Sequence, residues 1–188
     1  MTMKSSVGVI KRKVLYAKAV YGQEEKDAVL RSLENGWLAS GPLVKEFEEK
    51  VANLFGKKYG VAVNSGSSAN LLALHALEIE KGYEVITPAC TFATTVSEII
   101  NNGLVPLFVD SIIGRYTVDE DLVKRAINPR TTKAIMVPQL IGGVCDMEKL
   151  RSIADEYNLH LIDDSCDSFA PTFKGKTVAS YADISTTS

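Results

Sequence analysis

The chain has no Cys-x-x-Cys pair and no cluster of histidines. Its three cysteines, Cys90, Cys145 and Cys166, are odd in number and scattered. That excludes a disulfide framework or a zinc knuckle and fits reduced thiols in a cytoplasmic protein. The two histidines, His75 and His160, each sit inside an apolar run, where packing is the expected role. No apolar stretch reaches the roughly 18 residues that a membrane span needs. The first twenty residues lack the apolar core and cleavage site of a secretory signal. Neither sign of charge dominates: 21 Lys and Arg stand against 23 Asp and Glu, a net charge of −2. A nucleic-acid partner is therefore not expected, nor is a membrane. The short basic run Lys11-Arg12-Lys13 reads as a solvated segment. There is no internal repeat and no low-complexity segment. There is also no Gly-x-Gly-x-x-Gly turn, which argues against an ordinary dinucleotide binder.

What is present is a regular alternation of apolar patterns. With 188 residues, 46% hydrophobic, the chain suits one α/β domain or part of a larger protein. Residues 1–15 read as a lead-in, and 16–188 as a three-layer α/β/α unit. An amphipathic helix is expected over 22–35, with Val29, Leu30 and Leu33 on one face. A second follows Gly41-Pro42, with Leu43, Phe47, Val51, Leu54 and Phe55 as a buried stripe. Strand patterns then fall at 59–63, 84–88, 104–109, 133–138 and 159–163. Helix patterns fall between them at 67–78, 92–101, 119–127 and 146–157. A last, Thr-rich strand is expected over 181–188. Continuous apolar strands linked through helices argue a mostly parallel sheet with helices on both faces. The chain ends in or at the lip of that last strand, so it reads as the N-terminal portion of a longer enzyme.

The stretch Asn64-Ser65-Gly66-Ser67-Ser68-Ala69-Asn70 joins the first strand pattern to a helix. The free N–H groups of a first helical turn favour an anion, and Ser67 and Ser68 add hydroxyls. Gly66 permits close approach, and a phosphate is the natural guest. Ligands of such sheets collect at the carboxyl ends of the strands. Thr91 and Phe92, Gln139, the acidic group Asp163, Asp164 and Asp167, and Ser188 all fall there. Phe92 offers a face for stacking, although a core aromatic would read the same way. Asp164 follows a buried strand and has no Lys or Arg near it in sequence at its own level. A protonated pyridine nitrogen would serve as its partner, and the ring would then act as an electron sink. Cys166 reads as buried and inert, since no base is placed beside it.

Several segments carry a family resemblance. They are Gly36-Trp37-Leu38-Ala39-Ser40-Gly41-Pro42, Val63 through Leu71, Glu84-Val85-Ile86-Thr87-Pro88 with Thr91-Phe92-Ala93-Thr94, Leu161 through Asp167, and Asp183-Ile184 with Ser188. In this order they resemble the DegT/DnrJ/EryC1/StrS family of nucleotide-sugar aminotransferases, which depend on pyridoxal phosphate. The resemblance runs from about residue 15 to residue 188. It implies the large domain of fold type I, with pyridoxal 5'-phosphate or pyridoxamine 5'-phosphate as coenzyme. It also implies a nucleotide-linked 4-keto-6-deoxy sugar as substrate, a homodimer, and a place in polysaccharide or deoxysugar biosynthesis. Gly66, Ser67 and Ser68 would hold the coenzyme phosphate. Phe92 would stack on the ring, Asp164 would pair with its nitrogen, and Ser188 would contact the coenzyme. The Trp37–Gly41 loop would lie near the sugar nucleotide.

Two departures matter. The family's Schiff-base Lys lies just past the position of Ser188, so no catalytic residue is expected within the chain, nor is the C-terminal small domain. Asp167, which the resemblance also makes a coenzyme contact through a hydrogen bond to the ring's 3-oxygen, stands where most aminotransferase members carry Gln. An acidic residue there resembles the 3-dehydratase branch, which uses His in place of that Lys and removes the C3 hydroxyl. Transamination at C4 and dehydration at C3 therefore both stay open, as does a catalytically incomplete fragment that at most binds coenzyme or packs with a partner.

Overall fold

The structure, a computed structural model, describes Leu15 and residues 18–188. The basic run at 11–13 and nearly all of the expected lead-in lie outside the described residues. The chain forms two compact units, Met1–Gly41 and Pro42–Ser188. In the first, helix α1 spans Gln23–Glu34 and begins with the Glu25 carboxylate accepting the Gly22 N–H at 2.6 Å. The expected face of Val29, Leu30 and Leu33 is there, but each is more than half exposed.

The second unit opens with α2, Pro42–Leu54. Its expected buried stripe is only partly realised: Phe55, just past the helix, is buried, whereas Leu43, Phe47 and Leu54 are exposed. After α3 (Gly66–His75) come β1 (Glu84–Pro88), α4 (Ala93–Asn101), β2 (Val105–Val109), α5 (Glu120–Ala126) and β3 (Thr132–Pro138). Then follow α6 (Met147–Tyr157), β4 (His160–Ser165), the short hairpin β5 (Thr172–Phe173) and β6 (Lys176–Thr177), and β7 (Ile184–Thr187). The main sheet is parallel, in the order β2-β1-β3-β4-β7. This is an α/β fold with a mostly parallel sheet and helices on both faces.

Side chains alternate across the strands and feed two cores. Ile86, Ile135, Val137 and Leu161 pack with Val123 of α5 and Met147 and Leu150 of α6. Val85, Ala134, Met136 and Ile162 pack on the opposite face with Ala73 and Leu74 of α3 and Ile99 of α4. The central strands β1, β3 and β4 are buried almost throughout, while edge strand β2 leaves Val105 and Phe108 about half exposed. His75 and His160 are exposed, so neither packs in the core as expected.

Residues 59–63, expected as the first strand, form none. A strand needs a neighbour to complete its ladder. An open groove of about 340 Å³, lined by Val61, Val63, Ser185 and Thr187, lies between this segment and β7. The segment is fastened to α2 instead. The Ala62 N–H donates to Glu48 Oε1 at 2.8 Å, and a Cβ on Gly60 would lie 2.5 Å from the Glu48 carbonyl oxygen. The last strand is shorter than expected because a 3-10 turn occupies Val178–Tyr181. Asp183 anchors its entry, accepting the Leu161 N–H at 2.8 Å and pairing with Arg151 at 3.3 Å.

Candidate functional site

The sheet order reverses between β1 and β3, since β1 leads on to β2 on one side and β3 to β4 on the other. Parallel sheets open a crevice at such a point, outside the carboxyl ends of the strands. A cavity of about 270 Å³ lies at that end, among residues following β1, β3, β4 and β7 and the start of α3. Gly66, Ser67, Phe92, Asp164, Asp167 and Ser188 all line it. Ser68 does not. Its hydroxyl donates to Asn64 Oδ1 at 2.6 Å, and its N–H is capped by Ser65 Oγ at 3.2 Å. Ser65 is thus the N-cap of α3, and the Gly66 and Ser67 amides are left without an intrahelical acceptor.

Gly66 has a further reason to be glycine. A Cβ there would lie 2.7 Å from Cys166 Sγ and 3.0 Å from Ser188 Cβ. The protein's own groups, rather than only a ligand, require the close approach. Burial and the neighbouring Asp164 push the Cys166 thiol up to about 12, so it stays protonated. That agrees with an inert thiol rather than a nucleophile. Phe92 is 65% exposed at the N-cap of α4, so it is a cavity wall and not a core aromatic.

Asp164 is 4% exposed at the floor. Asn70 Nδ2 donates to its Oδ2 at 2.8 Å and Thr95 Oγ1 donates to the same oxygen at 2.9 Å. The Cys166 N–H donates to Oδ1 at 3.2 Å. Among the described residues no Lys or Arg pairs with it, and Lys174, the nearest in sequence, pairs with Glu148 at 2.5 Å. Asp167 is exposed at the lip, where its Oδ2 accepts from the Ile141 N–H at 3.4 Å. Gln139 and Asp163 lie on the other face of the sheet and line none of this cavity. Among the described residues no group of His, Cys, Asp or Glu is placed to hold a metal ion, and no helix is long and apolar enough to cross a membrane.

Asn70, Thr95 and Thr186 were not expected at the site. Two of them, Asn70 and Thr95, had a faint signal. Asn70 interrupts the apolar run Ala69 to Leu74, and a polar residue inside such a run needs a buried partner. Thr95 lies three residues after Phe92, one helical turn from the ring.

The arrangement combines open helix-terminal amides, an exposed aromatic wall, and a buried carboxylate that no Lys or Arg among the described residues pairs with. The sequence profile of the DegT/DnrJ/EryC1/StrS aminotransferase family matches residues 20–188, and the chain belongs to that family. It is 40% identical over 177 residues to the lipopolysaccharide biosynthesis protein RfbH of Salmonella typhimurium, covering 90% of this chain and 40% of that protein. It is 39% identical to the dTDP-3-amino-3,6-dideoxy-alpha-D-galactopyranose transaminase of Aneurinibacillus thermoaerophilus, covering 87% of this chain and 45% of that one. Among solved structures, the Escherichia coli GDP-4-keto-6-deoxy-D-mannose-3-dehydratase with bound hydrated PLP matches with a TM-score of 0.80 at 33% identity. That match covers 85% of this chain and 42% of the dehydratase. The chain therefore spans less than half the length of these relatives.

Proposed function

We propose that this chain is the coenzyme-binding region of an enzyme that acts on a nucleotide-linked 4-keto-6-deoxy sugar with pyridoxal or pyridoxamine 5'-phosphate. The observation that carries the proposal is Asp164: a carboxylate at the floor of a cavity, surrounded by neutral donors and paired with no Lys or Arg among the described residues. The residues fit the group. The Gly66 and Ser67 amides and the Ser67 hydroxyl would hold its phosphate. Phe92 would cover one ring face. Asp164 would accept the ring N–H and keep that nitrogen charged. Ser188 would close the phosphate side. The bound coenzyme supplies an electron sink for a carbanion formed on the sugar.

Between the two reactions, Asp167 favours dehydration. The support is the resemblance: an acidic residue at this position is a mark of the 3-dehydratase branch, in which the C3 hydroxyl leaves as water once a donor supplies its proton. Transamination at C4 is the second reading; a relative named as a sugar transaminase supports the reaction type but not the C4 position. A fragment that only binds coenzyme is a third, and it predicts binding without turnover. The homodimer, the cytoplasmic location and the assignment of 16–188 to one coenzyme-binding unit belong to the same proposal.

The test is a titration of the purified protein with pyridoxal 5'-phosphate and with pyridoxamine 5'-phosphate, followed by absorbance and fluorescence. Saturable binding that is lost in Asp164→Ala is the expected result. Equal binding by both proteins would remove Asp164 from the site. Supplying a 4-keto-6-deoxy nucleotide sugar and the coenzyme to the full-length enzyme that contains this region then separates the reactions by product: an amino sugar or a 3-deoxy sugar.

A further inference from the structure

The geometry points to Asn70 and Thr95 as positioning residues for the coenzyme's ring nitrogen, acting through Asp164 as the ends of two one-way hydrogen-bond relays. This rests on the coenzyme assignment proposed above. Each relay has a second hydroxyl behind it. Thr91 Oγ1 donates to Thr95 Oγ1 at 3.0 Å, and Thr186 Oγ1 donates to Asn70 Oδ1 at 2.6 Å. A hydroxyl has one proton. Thr95 gives its proton to Asp164, so it can only accept from Thr91. Asn70 must turn its NH₂ to the carboxylate, because its oxygen would repel it. Its oxygen then faces Thr186, whose proton is committed there. Both relays therefore carry their protons in one direction, onto Asp164 Oδ2.

The two oxygens of Asp164 are left unequal. Oδ2 has two donors, which fill its lone pairs. Oδ1 has the Cys166 N–H at 3.2 Å, and Thr186 stands 3.5 Å away with its proton already used. Oδ1 is thus the oxygen with a lone pair to offer a ring N–H. Asn70, Thr95 and Thr186 come from three separate elements, α3, α4 and β7, and all are buried. A carboxylate held by Asn70, Thr95 and the Cys166 N–H cannot rotate to exchange its oxygens without breaking the relays. Its direction, and with it the tilt and charge of the ring, is set by residues that do not touch the coenzyme nitrogen.

The experiment uses pyridoxal 5'-phosphate labelled with nitrogen-15 in the ring, bound to the purified protein. The nitrogen chemical shift, followed against pH, reports the proton on the ring. Thr95→Val keeps size and removes one donor. It is expected to raise the pH of half-deprotonation by about one unit, a tenfold change, because the lost donor stabilises the bare carboxylate left after the ring proton departs more than it stabilises the ion pair. Thr95→Ser should restore the wild-type midpoint, and Asn70→Ala should shift it in the same direction as Thr95→Val. A packing role alone would lower the melting temperature and leave the midpoint in place. Should Asn70→Ala fail to fold, Thr95→Val with its Ser rescue decides. Unchanged midpoints in Thr95→Val, with a shifted one in Asp164→Asn, would overturn the relays while sparing the coenzyme site. An unchanged midpoint in Asp164→Asn as well would overturn both.

Discussion

Asp163 and Asp164 are adjacent on β4 and meet opposite environments. Strand alternation sends one to each face of the sheet. Asp163 is fully buried and closed upon by protein. It accepts from Gln139 Nε2 at 3.0 Å and from Ser165 Oγ at 2.9 Å, while Gln139 Oε1 takes the Cys145 N–H at 3.0 Å. Burial pushes its carboxyl up from 3.8 to about 6, against the pull of the Gln139 and Ser165 hydrogen bonds. Asp164 is nearly as buried, yet it opens on a cavity. Two identical side chains thus divide into one enclosed by protein and one that lines an open cavity. Neither residue type nor burial makes the difference. What differs is what each carboxylate faces: Asp163 faces only protein, whereas Asp164 faces an open cavity.

The largest expected effect separates the two at once. Asp164→Asn should weaken coenzyme binding by about 100-fold, since an uncompensated charge is left in a buried pair. Asp163→Asn should leave the dissociation constant within about threefold, because its hydrogen bonds stay on the far face. Fluorescence titration of both variants measures this, and equal losses would break the comparison.

Stability should show the reverse order. Asp163→Ala leaves the Gln139 amide and the Ser165 hydroxyl without their acceptor and should destabilise by about 3 kcal/mol in urea unfolding. The sign of the pH effect follows from the raised value. Below about pH 4 the folded and unfolded chains both hold the Asp163 proton, and the residue adds no pH dependence. Between about pH 4 and about pH 6 the unfolded chain releases it first. Wild-type stability should therefore fall over that window relative to Asp163→Asn, by on the order of 3 kcal/mol in full, and the gap should stay constant above it. Parallel urea curves for the two proteins from pH 4 to 8 check it. A gap that widens above about pH 6 instead would remove Asp163 as its source.

Gly66→Ala probes the cavity side alone. The new Cβ must displace Cys166 Sγ and Ser188, and the expected net loss is about 1.5 kcal/mol after the helix preference for Ala is counted. Adding Cys166→Ala should recover part of it, because Ser188 still crowds the site at 3.0 Å. Full recovery would show that the sulfur alone demanded the glycine.

Most of the layout could be read from residue order. Alternating apolar patterns located the strands and helices of the sheet, and strand ends placed Phe92, Asp164 and Ser188 in one crevice, which Gly66 joins at the start of α3 although no strand precedes it. What escaped depends on contacts between distant segments. The absence of strand pairing at 59–63 is a property of the groove beside β7, not of the apolar pattern itself. The exposure of Leu43 and Phe47 shows that a stripe of the right period need not find a core within the chain. Asn70, Thr95 and Thr186 meet at Asp164 across sequence separations of 94, 69 and 22 residues, which local pattern cannot reveal.

The smallest effect concerns the turn where the two networks come nearest. Gln139, whose side chain serves Asp163, begins it, and the Ile141 N–H reaches Asp167 at the cavity lip. Ile141 holds φ 48° and ψ 31°, a left-handed conformation that a β-branched residue adopts at a cost of roughly 1–2 kcal/mol. Its side chain is 69% exposed and returns little by burial. Asn tolerates that backbone region, so Ile141→Asn should raise stability by about 1 kcal/mol in urea unfolding. Coenzyme affinity should not change if the strain stays on the Gln139 side. A shift in affinity would mean that the turn transmits its strain to Asp167, and the two faces of β4 would then be coupled rather than independent.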